Sequence, residues 1–301
     1  MARVYHPGER SVQEQAGVHE MADRIGRSIR TTIPPPAWNF LRSQPLVVVG
    51  SVDAGRRVWA SLLTGAPGLV QAVDENTVRI NAQPATGDPL GDNLAANDAV
   101  GLIAIEFATR RRMRLNGRAE VAEDGGITIH AEQVYSNCPK YIQARRWRGR
   151  SPEVDSTPVV RRQSILAQDQ QRWIREADTF FIASHHPEAG TDASHRGGLP
   201  GFVRVLNDHR LVWPDYAGNT MFQTLGNISV NPQAGLLFID FERGGTLQLT
   251  GRAGILWDEE RAAQFAGAER LVEFDVDEVV AIAGRHSLEW RFLDYSPENP
   301  T

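Results

Sequence analysis

The chain has 301 residues, 41% of them hydrophobic, which is enough for one large domain or two ordinary ones, each with its own core. A formal net charge of −5 and a pI near 5.9 argue against a general nucleic-acid binder, which would present a basic face. One cysteine, Cys138, rules out an internal disulfide and a cysteine-rich metal site, and no run of about 20 apolar residues marks a membrane span. The N-terminal stretch "MARVYHPGERSVQEQ" has no apolar signal core, so the expectation is a soluble, cytoplasmic protein with no membrane partner.

In chain order, "SVQEQAGVHEMADRIGRSIR" (11–30) predicts one helix. It opens on a capping box, Ser11 with Glu14, and repeats apolar residues at Val12, Ala16, Met21, Ile25 and Ile29. Pro34, Pro35 and Pro36 end it, leaving 1–36 as a helical extension. "AWNFLRSQ" (37–44) then leads into six short β-branched or alternating runs at 45–52, 68–73, 76–82, 99–107, 112–121 and 126–135. Asp-Ala-Gly, Asp-Glu-Asn and Asp-Gly-Gly turn signals separate several of them, and one helix is expected around 90–97. Such a set predicts a small antiparallel barrel over 37–147, closed because closure removes exposed strand edges. Two basic runs, "RRRMR" (110–114) and "ARRWRGR" (144–150), read as solvated charged faces.

Residues 148–163, with "RGRSPEVDSTPVV", have the composition of a linker, and a helix over 164–180 precedes a second barrel extending to 301. Its strands are expected in "TFFIAS", "GFVRVL", "RLVWPD", "AGLLFIDFE", "GTLQLTGRAGIL" and "LVEFDVDEVV", with a helix near 219–230.

The second half repeats the first. Ala60, Ser61, Gly65, Pro67, Gly68 and Val70 recur as Ala193, Ser194, Gly198, Pro200, Gly201 and Val203, a shift of 133 (193 minus 60). "GLIAIEFATRRRMRLNGRA" (101–119) recurs as "GLLFIDFERGGTLQLTGRA" (235–253), a shift of 134 (235 minus 101). Two ungapped matches in order and at nearly one shift indicate a duplicated domain rather than a solenoid of short units. Superposition is expected to place Gly68 on Gly201 and Gly117 on Gly251.

The copies differ where chemistry would sit. "ASHRGG" (193–198) offers Ser194, His195, Arg196 and Gly197, a hydroxyl, a titratable ring, a cation and open backbone in what reads as one turn. The first copy has Leu62 and Leu63 at the positions of His195 and Arg196, and Gln71 at that of Arg204. Asn219 and Thr220 stand at an expected helix start, with Gln223 and Asn227 at helical spacing behind them. The first copy's counterpart, "QPATGDPLGD" (83–92), has no basic residue.

The order Gly-Leu-Pro-Gly-Phe-Val-Arg-Val, then "LVWPDYAGNTMFQTLGN" (211–227), "NPQAGLLFIDF" (231–241) and "LQLTGRA" (247–253), resembles the pyridoxamine 5′-phosphate oxidase-like flavoproteins. The resemblance is clear over about 180–280 and weaker over 37–140, through the repeat and through "NCPKYIQ" (137–143), a helix-start sequence also seen after such barrels. It implies a mainly β chain with flanking helices, built as two tandem FMN-binding split β-barrels. It also implies FMN in a cleft between paired barrels, so that one chain could form its own pseudo-dimer or two chains a homodimer.

FMN requires cations and backbone N–H groups for its phosphate and an apolar slot for its ring. The expected cofactor-binding residues are therefore Ser194, His195, Arg196, Gly197, Arg204, Trp213, Pro214, Asp215, Asn219, Thr220, Gln223 and Asn227. The first barrel's end would lend Lys140, with Asn137 and Cys138 beside it. The tail "AGRHSLEWRFLDYSPENP" (283–300) lacks the Arg-Leu-His-Asp-Arg-like element of a vitamin B6 oxidase. The implied activity is an FMN-dependent oxidoreductase acting on a small molecule, with a separate reductase as a candidate electron donor. The alternative is a non-catalytic flavin- or haem-binding module, with His130, His195 or His286 as axial ligand. His185, His186 and His195 lie close in sequence but follow no metal-ligand spacing, so no metal site is expected.

Overall fold

The computed structural model describes residues 4–150, 158–284 and 288–300. The N-terminal extension is two helices, α1 (Pro7–Gln15) and α2 (His19–Gly26), rather than one over 11–30. The cap is His6 with Glu9, not Ser11 with Glu14: the His6 side chain accepts the Gly8 N–H and the Glu9 carboxylate accepts the His6 N–H. Gly17, at φ +68°, breaks the helix after Ala16. The proline run does not merely stop this segment, because Pro35 opens the next helix, α3 (Pro35–Arg42).

The first barrel contains β1 (Leu46–Val52), β2 (Val58–Thr64), β3 (Val70–Ala72), β4 (Thr77–Ile80), α4 (Leu90–Ala96), β5 (Ala99–Glu106), β6 (Arg111–Val121) and β7 (Ile127–Ser136). Residues 137–143 form a loop instead of starting a helix, and lead into β8 (Ala144–Arg150). The stretch read as a linker is partly strand, since β8 precedes it and β9 (Val159–Gln163) closes it; 151–157 lie outside the described residues. The second barrel follows with α5 (Gln168–Glu176), β10 (Thr179–His186), β11 (Gly190–Gly197), β12 (Arg204–Asn207), β13 (Arg210–Tyr216), α6 (Gln223–Val230), β14 (Gln233–Ile239), β15 (Thr246–Leu256), α7 (Glu259–Ala262) and β16 (Ala268–Ala283). A last strand, β17 (Leu288–Asp294), pairs with β8.

The two halves have one topology. The first sheet runs β2-β1-β5-β6-β7-β4-β3 and the second β11-β10-β14-β15-β16-β13-β12, with β9 added onto β16. Each path has seven strands, not six. Within these two paths the strands that sequence reading missed are β2 and β11; outside them it also missed β8, β9 and β17. "VWASLLT" hides its period because both faces are covered, and "GTDASHRG" carries polar residues that read as a turn.

Gly68 and Gly201 occupy the same place in both halves with φ of +96° and +90°, ahead of β3 and β12. Gly117 and Gly251 each sit at a β-bulge, where an added Cβ would lie 2.0 Å from the facing carbonyl oxygen of His130 or Asp275. A side chain cannot fit there, which explains the glycine that both copies share.

Each barrel has its own core, one around Val47, Leu63, Leu102 and Leu115, the other around Phe180, Trp213, Leu236 and Phe274. A third apolar cluster joins them through Val48, Ala60 and Ile103 of one half and Phe181, Ala183, Ala193 and Leu237 of the other. The contact is isologous. A Cβ on Gly50 would meet the Cβ of its own repeat equivalent, Ala183, at 2.9 Å. Gly101 abuts Asp192 and Ala193, and its equivalent Gly235 abuts Val58 and Trp59.

That close approach makes a prediction. A Cβ on Gly235 would lie 2.6 Å from the Val58 oxygen and 2.7 Å from Trp59 Cα, both backbone, so the sheets must part. Gly235→Ala is expected to lower stability by about 1–3 kcal/mol, the usual cost of overpacking. Gly254→Ala, with nothing within 4 Å, is expected to be near neutral. Equal urea midpoints for the two variants would show that the half-to-half contact is loose.

Candidate functional site

A cleft opens where the barrels meet. From the second barrel it is lined by Ser194, His195, Arg196 and Gly197 on β11, by Pro214 and Asp215 on β13, and by the Gly218–Thr220 loop with the first turn of α6. From the first barrel come Arg112 and Arg114 on β6 and the loop residues Cys138, Lys140 and Tyr141. Strand alternation, not turn geometry, presents Ser194 and Arg196 on one face.

Ten of the expected residues therefore line one cleft: Ser194, His195, Arg196, Gly197, Pro214, Asp215, Asn219, Thr220, Gln223 and Lys140. Three do not. Arg204 lies on the outer surface, its guanidinium 3.7 Å from the Phe265 ring centroid and donating to the Gln264 carbonyl at 2.5 Å. Trp213 is buried in the core, edge-on to Phe180. Asn227 binds Ser184 Oγ at 3.0 Å and His6 at 2.9 Å, away from the cleft. Trp213 packs into the second barrel's core against Phe180, whereas Pro214 and Asp215 after it line the cleft.

The reading of 110–114 as a solvated face is corrected in the same way. Arg111 is exposed, but Arg114 is buried and Arg112 half-buried, because β6 alternates and its inner residues reach across to the other barrel. In the second basic run, Arg145 is buried and donates to both carboxylate oxygens of Asp178 at 2.6 and 2.7 Å. The available signal was the spacing itself: arginines at alternate positions of a strand, with Thr246 and Gln248 at the matching positions of the second copy.

Lys140 reaches Glu298 at 3.6 Å and Arg114 pairs with Asp192, but among the described residues two cations of the cleft have no close carboxylate. Arg112 finds only His195 Nδ1, at 3.2 Å, and its Nε is buried without a partner. Arg196 donates to Ser194 Oγ at 3.2 Å and reaches Asp215 only at 3.9 Å, while Asp215 is held by Arg270 at 2.6 Å. Arg196 Nε, His195 Nε2 and Thr220 Oγ1 are also buried and unpartnered. Burial, then repulsion from Arg114 and Arg196, brings the Arg112 guanidinium down to about 9. Burial and the Arg112 charge hold His195 well below the ordinary histidine range, so the ring is neutral. Because Arg112 can only donate, His195 Nδ1 accepts, and the proton sits on the unpartnered Nε2.

Arg114 differs. Burial pushes its guanidinium down, but the adjacent Asp192 more than offsets this and the net shift is upward. Asp192 also accepts from Tyr135 Oη at 3.0 Å and Thr224 Oγ1 at 2.9 Å, which ties β11 to β6, β7 and α6. Helix α6 starts at the cleft with no side-chain cap, preceded by Thr220 and Phe222 at φ of +59° and +60°. Uncapped N–H groups beside unpaired guanidinium groups favour an anion. At the cleft's edge Tyr141 and Tyr216 pack at 5.0 Å.

The equivalent place in the first barrel is closed. Leu62 and Leu63 are buried, and the Asp88 carboxylate accepts from Ser61 Oγ (2.7 Å), the Leu90 N–H (2.9 Å) and Gln248 (3.0 Å). An internal carboxylate thus occupies the helix-start cradle, and burial raises its pKa to about 6.

The pyridoxamine 5′-phosphate oxidase family model matches residues 34–158 and again 166–293. The chain belongs to this family and carries its domain twice. No curated protein matches the chain. Among solved structures it is similar to HupZ from Group A Streptococcus, at 13% identity over 37% of this chain and 90% of that one, with a TM-score of 0.31. It is also similar to an FMN-binding protein from Syntrophomonas wolfei (8% identity, 38% of this chain, 84% of that one, TM-score 0.29). A FAD-binding protein from Mesorhizobium loti matches at 12% identity over 42% of this chain and 99% of its own, with a TM-score of 0.27. No helix among the described residues is long and apolar enough to cross a membrane.

Proposed function

We propose that the inter-barrel cleft binds FMN phosphate-first, and that the protein is an FMN-dependent oxidoreductase acting on a small molecule. The observation that carries this reading is the set of buried, unpartnered donors on Arg112, Arg196 and His195 beside the uncapped start of α6. Two guanidinium groups without a close carboxylate match a phosphate of about −1.5 to −2 charge. Arg112, Arg196, the His195 Nε2–H and Thr220 would hold the phosphate, and Tyr141 with Tyr216 offers aromatic surface to the ring. FMN, when bound, supplies hydride and one-electron transfer. The chain's own residues bind and orient it and shield it from water. A separate reductase as electron donor fits this reading.

The haem alternative is weaker at this site. His130 is exposed on β7, and His286 lies outside the described residues. His195 lines the cleft, but its Nε2 carries the proton and so lacks the lone pair a metal needs.

The experiment is a titration of the purified protein with FMN and with riboflavin, followed by flavin fluorescence. Arg196→Leu, which copies Leu63 of the first barrel, is expected to weaken FMN at least tenfold, about 1.4 kcal/mol per decade, and riboflavin far less. Saturation is expected at one FMN per chain, because Asp88 fills the other cradle. An equal loss for both ligands would show that Arg196 does not meet the phosphate. Binding of two FMN molecules per chain would contradict the closure of the first copy.

A further inference from the structure

The N-terminal extension walls off a second cavity, of about 270 Å³, on the other side of Asp192 and Gln223 from the cleft. Its walls come from three parts of the chain: Tyr5, His6 and Glu9 of the extension, Asn116 and Gln133 of the first barrel, and His186 with Asp192 of the second. The extension is firmly seated there. Gly8 packs on the Gly226 carbonyl of α6, and the buried Gln13 side chain donates to the Met221 carbonyl at 3.1 Å.

The polar groups facing this cavity are unevenly satisfied. Asp192 is neutralised by Arg114. Glu9 is buried, yet among the described residues its carboxylate accepts only the His6 N–H at 2.8 Å, and Arg10 is turned outward to Asp23 at 2.6 Å. His6 lies 3.5 Å from Glu9 but uses Nδ1 to accept from Gly8 and Nε2 to donate to Asn227, so it is a neutral ring. His186 stacks on it at 4.2 Å and accepts two backbone N–H groups on Nδ1. Asn116, only 6% exposed, donates to Gln133 at 3.3 Å, while its Oδ1 is buried without any partner. Among the described residues, the cavity is thus lined by one carboxylate with no cation and by Asn116, whose amide oxygen has no donor.

We propose that this cavity is a second ligand site, and that it takes a compact organic ammonium whose N–H groups satisfy Glu9 and Asn116. A carboxylate and a bare amide oxygen select a group with several donors and a positive charge. An anion would find no unpaired cation among the described residues of the cavity, and plain alcohols offer a single donor. Burial, with Asp192 adding to it, raises the Glu9 pKa to about 8. The other charged groups near Glu9 are Arg114 and Arg10, which act in the opposite direction, and Glu188 at the mouth is exposed. An amine with a pKa of about 10 is charged throughout the neutral range. Its binding at pH 7 therefore displaces a proton from Glu9 to the buffer, and no other bond changes.

The test is calorimetry of the full-length protein with n-butylammonium chloride, n-butanol and sodium butyrate, in two buffers of different ionisation heat. Butylammonium alone is expected to bind, to release close to one proton at pH 7, and to gain up to about tenfold in affinity for each unit by which the pH is raised toward the Glu9 pKa. Glu9→Gln keeps the capping hydrogen bond and is expected to cost at least roughly tenfold in affinity while abolishing proton release. Asn116→Leu is expected to weaken binding with proton release retained. Arg196→Leu is expected to leave butylammonium unaffected, which separates this site from the cofactor cleft. Butanol binding as well as the ammonium, or an affinity indifferent to pH and to Glu9→Gln, would overturn the proposal.

Discussion

Asp192→Asn is expected to destabilise the protein by about 3–5 kcal/mol, the largest loss any single polar substitution here should cause. Among the described residues its carboxylate is the only one paired with Arg114, and their side chains are 2% and 5% exposed. Asparagine keeps the shape, and its one carbonyl oxygen can still accept from Tyr135 while its amide N–H faces the Thr224 hydroxyl, which can turn to accept. The loss therefore reports the guanidinium left buried without its counter-charge. Urea unfolding of Asp192→Asn, Arg114→Met and the double variant forms the check. The double variant should recover much of the loss, since it leaves no buried charge without its partner. A cost below about 1 kcal/mol for Asp192→Asn would mean that water reaches Arg114 and that the junction of β11, β6 and α6 is open.

Arg112→Met is expected to move stability and binding in opposite directions. In the ligand-free protein Arg112 is crowded by Arg114 and Arg196, and its Nε has no acceptor. Methionine removes that repulsion and fills similar volume, so the ligand-free protein should gain on the order of 1 kcal/mol. FMN affinity should fall at least tenfold, because a charge-assisted hydrogen bond to phosphate is worth roughly 1.5–3 kcal/mol. Thermal unfolding without ligand and an FMN titration read the two effects separately. Lower stability with unchanged FMN affinity would make Arg112 a structural cation and would move the phosphate site elsewhere in the cleft.

The candidate site was legible in part. Ser194, His195 and Arg196 stood out because the first copy has lost the corresponding chemistry, and a repeat provides its own internal comparison. Asn219, Thr220 and Gln223 were legible through their place at a helix start. Arg112 and Arg114 were hidden inside a charge run, since their burial depends on the opposite barrel rather than on any neighbour in sequence. Arg204 and Trp213 were misplaced for the converse reason: they sit in a site-like stretch, but Arg204 packs on Phe265 at the outer surface and Trp213 on Phe180 in the core.

Local chemistry written in the chain was sufficient for the duplication, the mainly β class, most of the strands of each half and the residues by which the two copies differ. Repeated glycines at bulges and tight turns encode the same backbone twice, because no side chain fits at Gly117 or Gly251. Only the tertiary structure decided which charges are unpaired, that Asp88 closes one cradle, and that α1 roofs a cavity between the barrels. Those outcomes arise from desolvation at contacts between residues far apart in sequence, where burial depends on what packs across the gap.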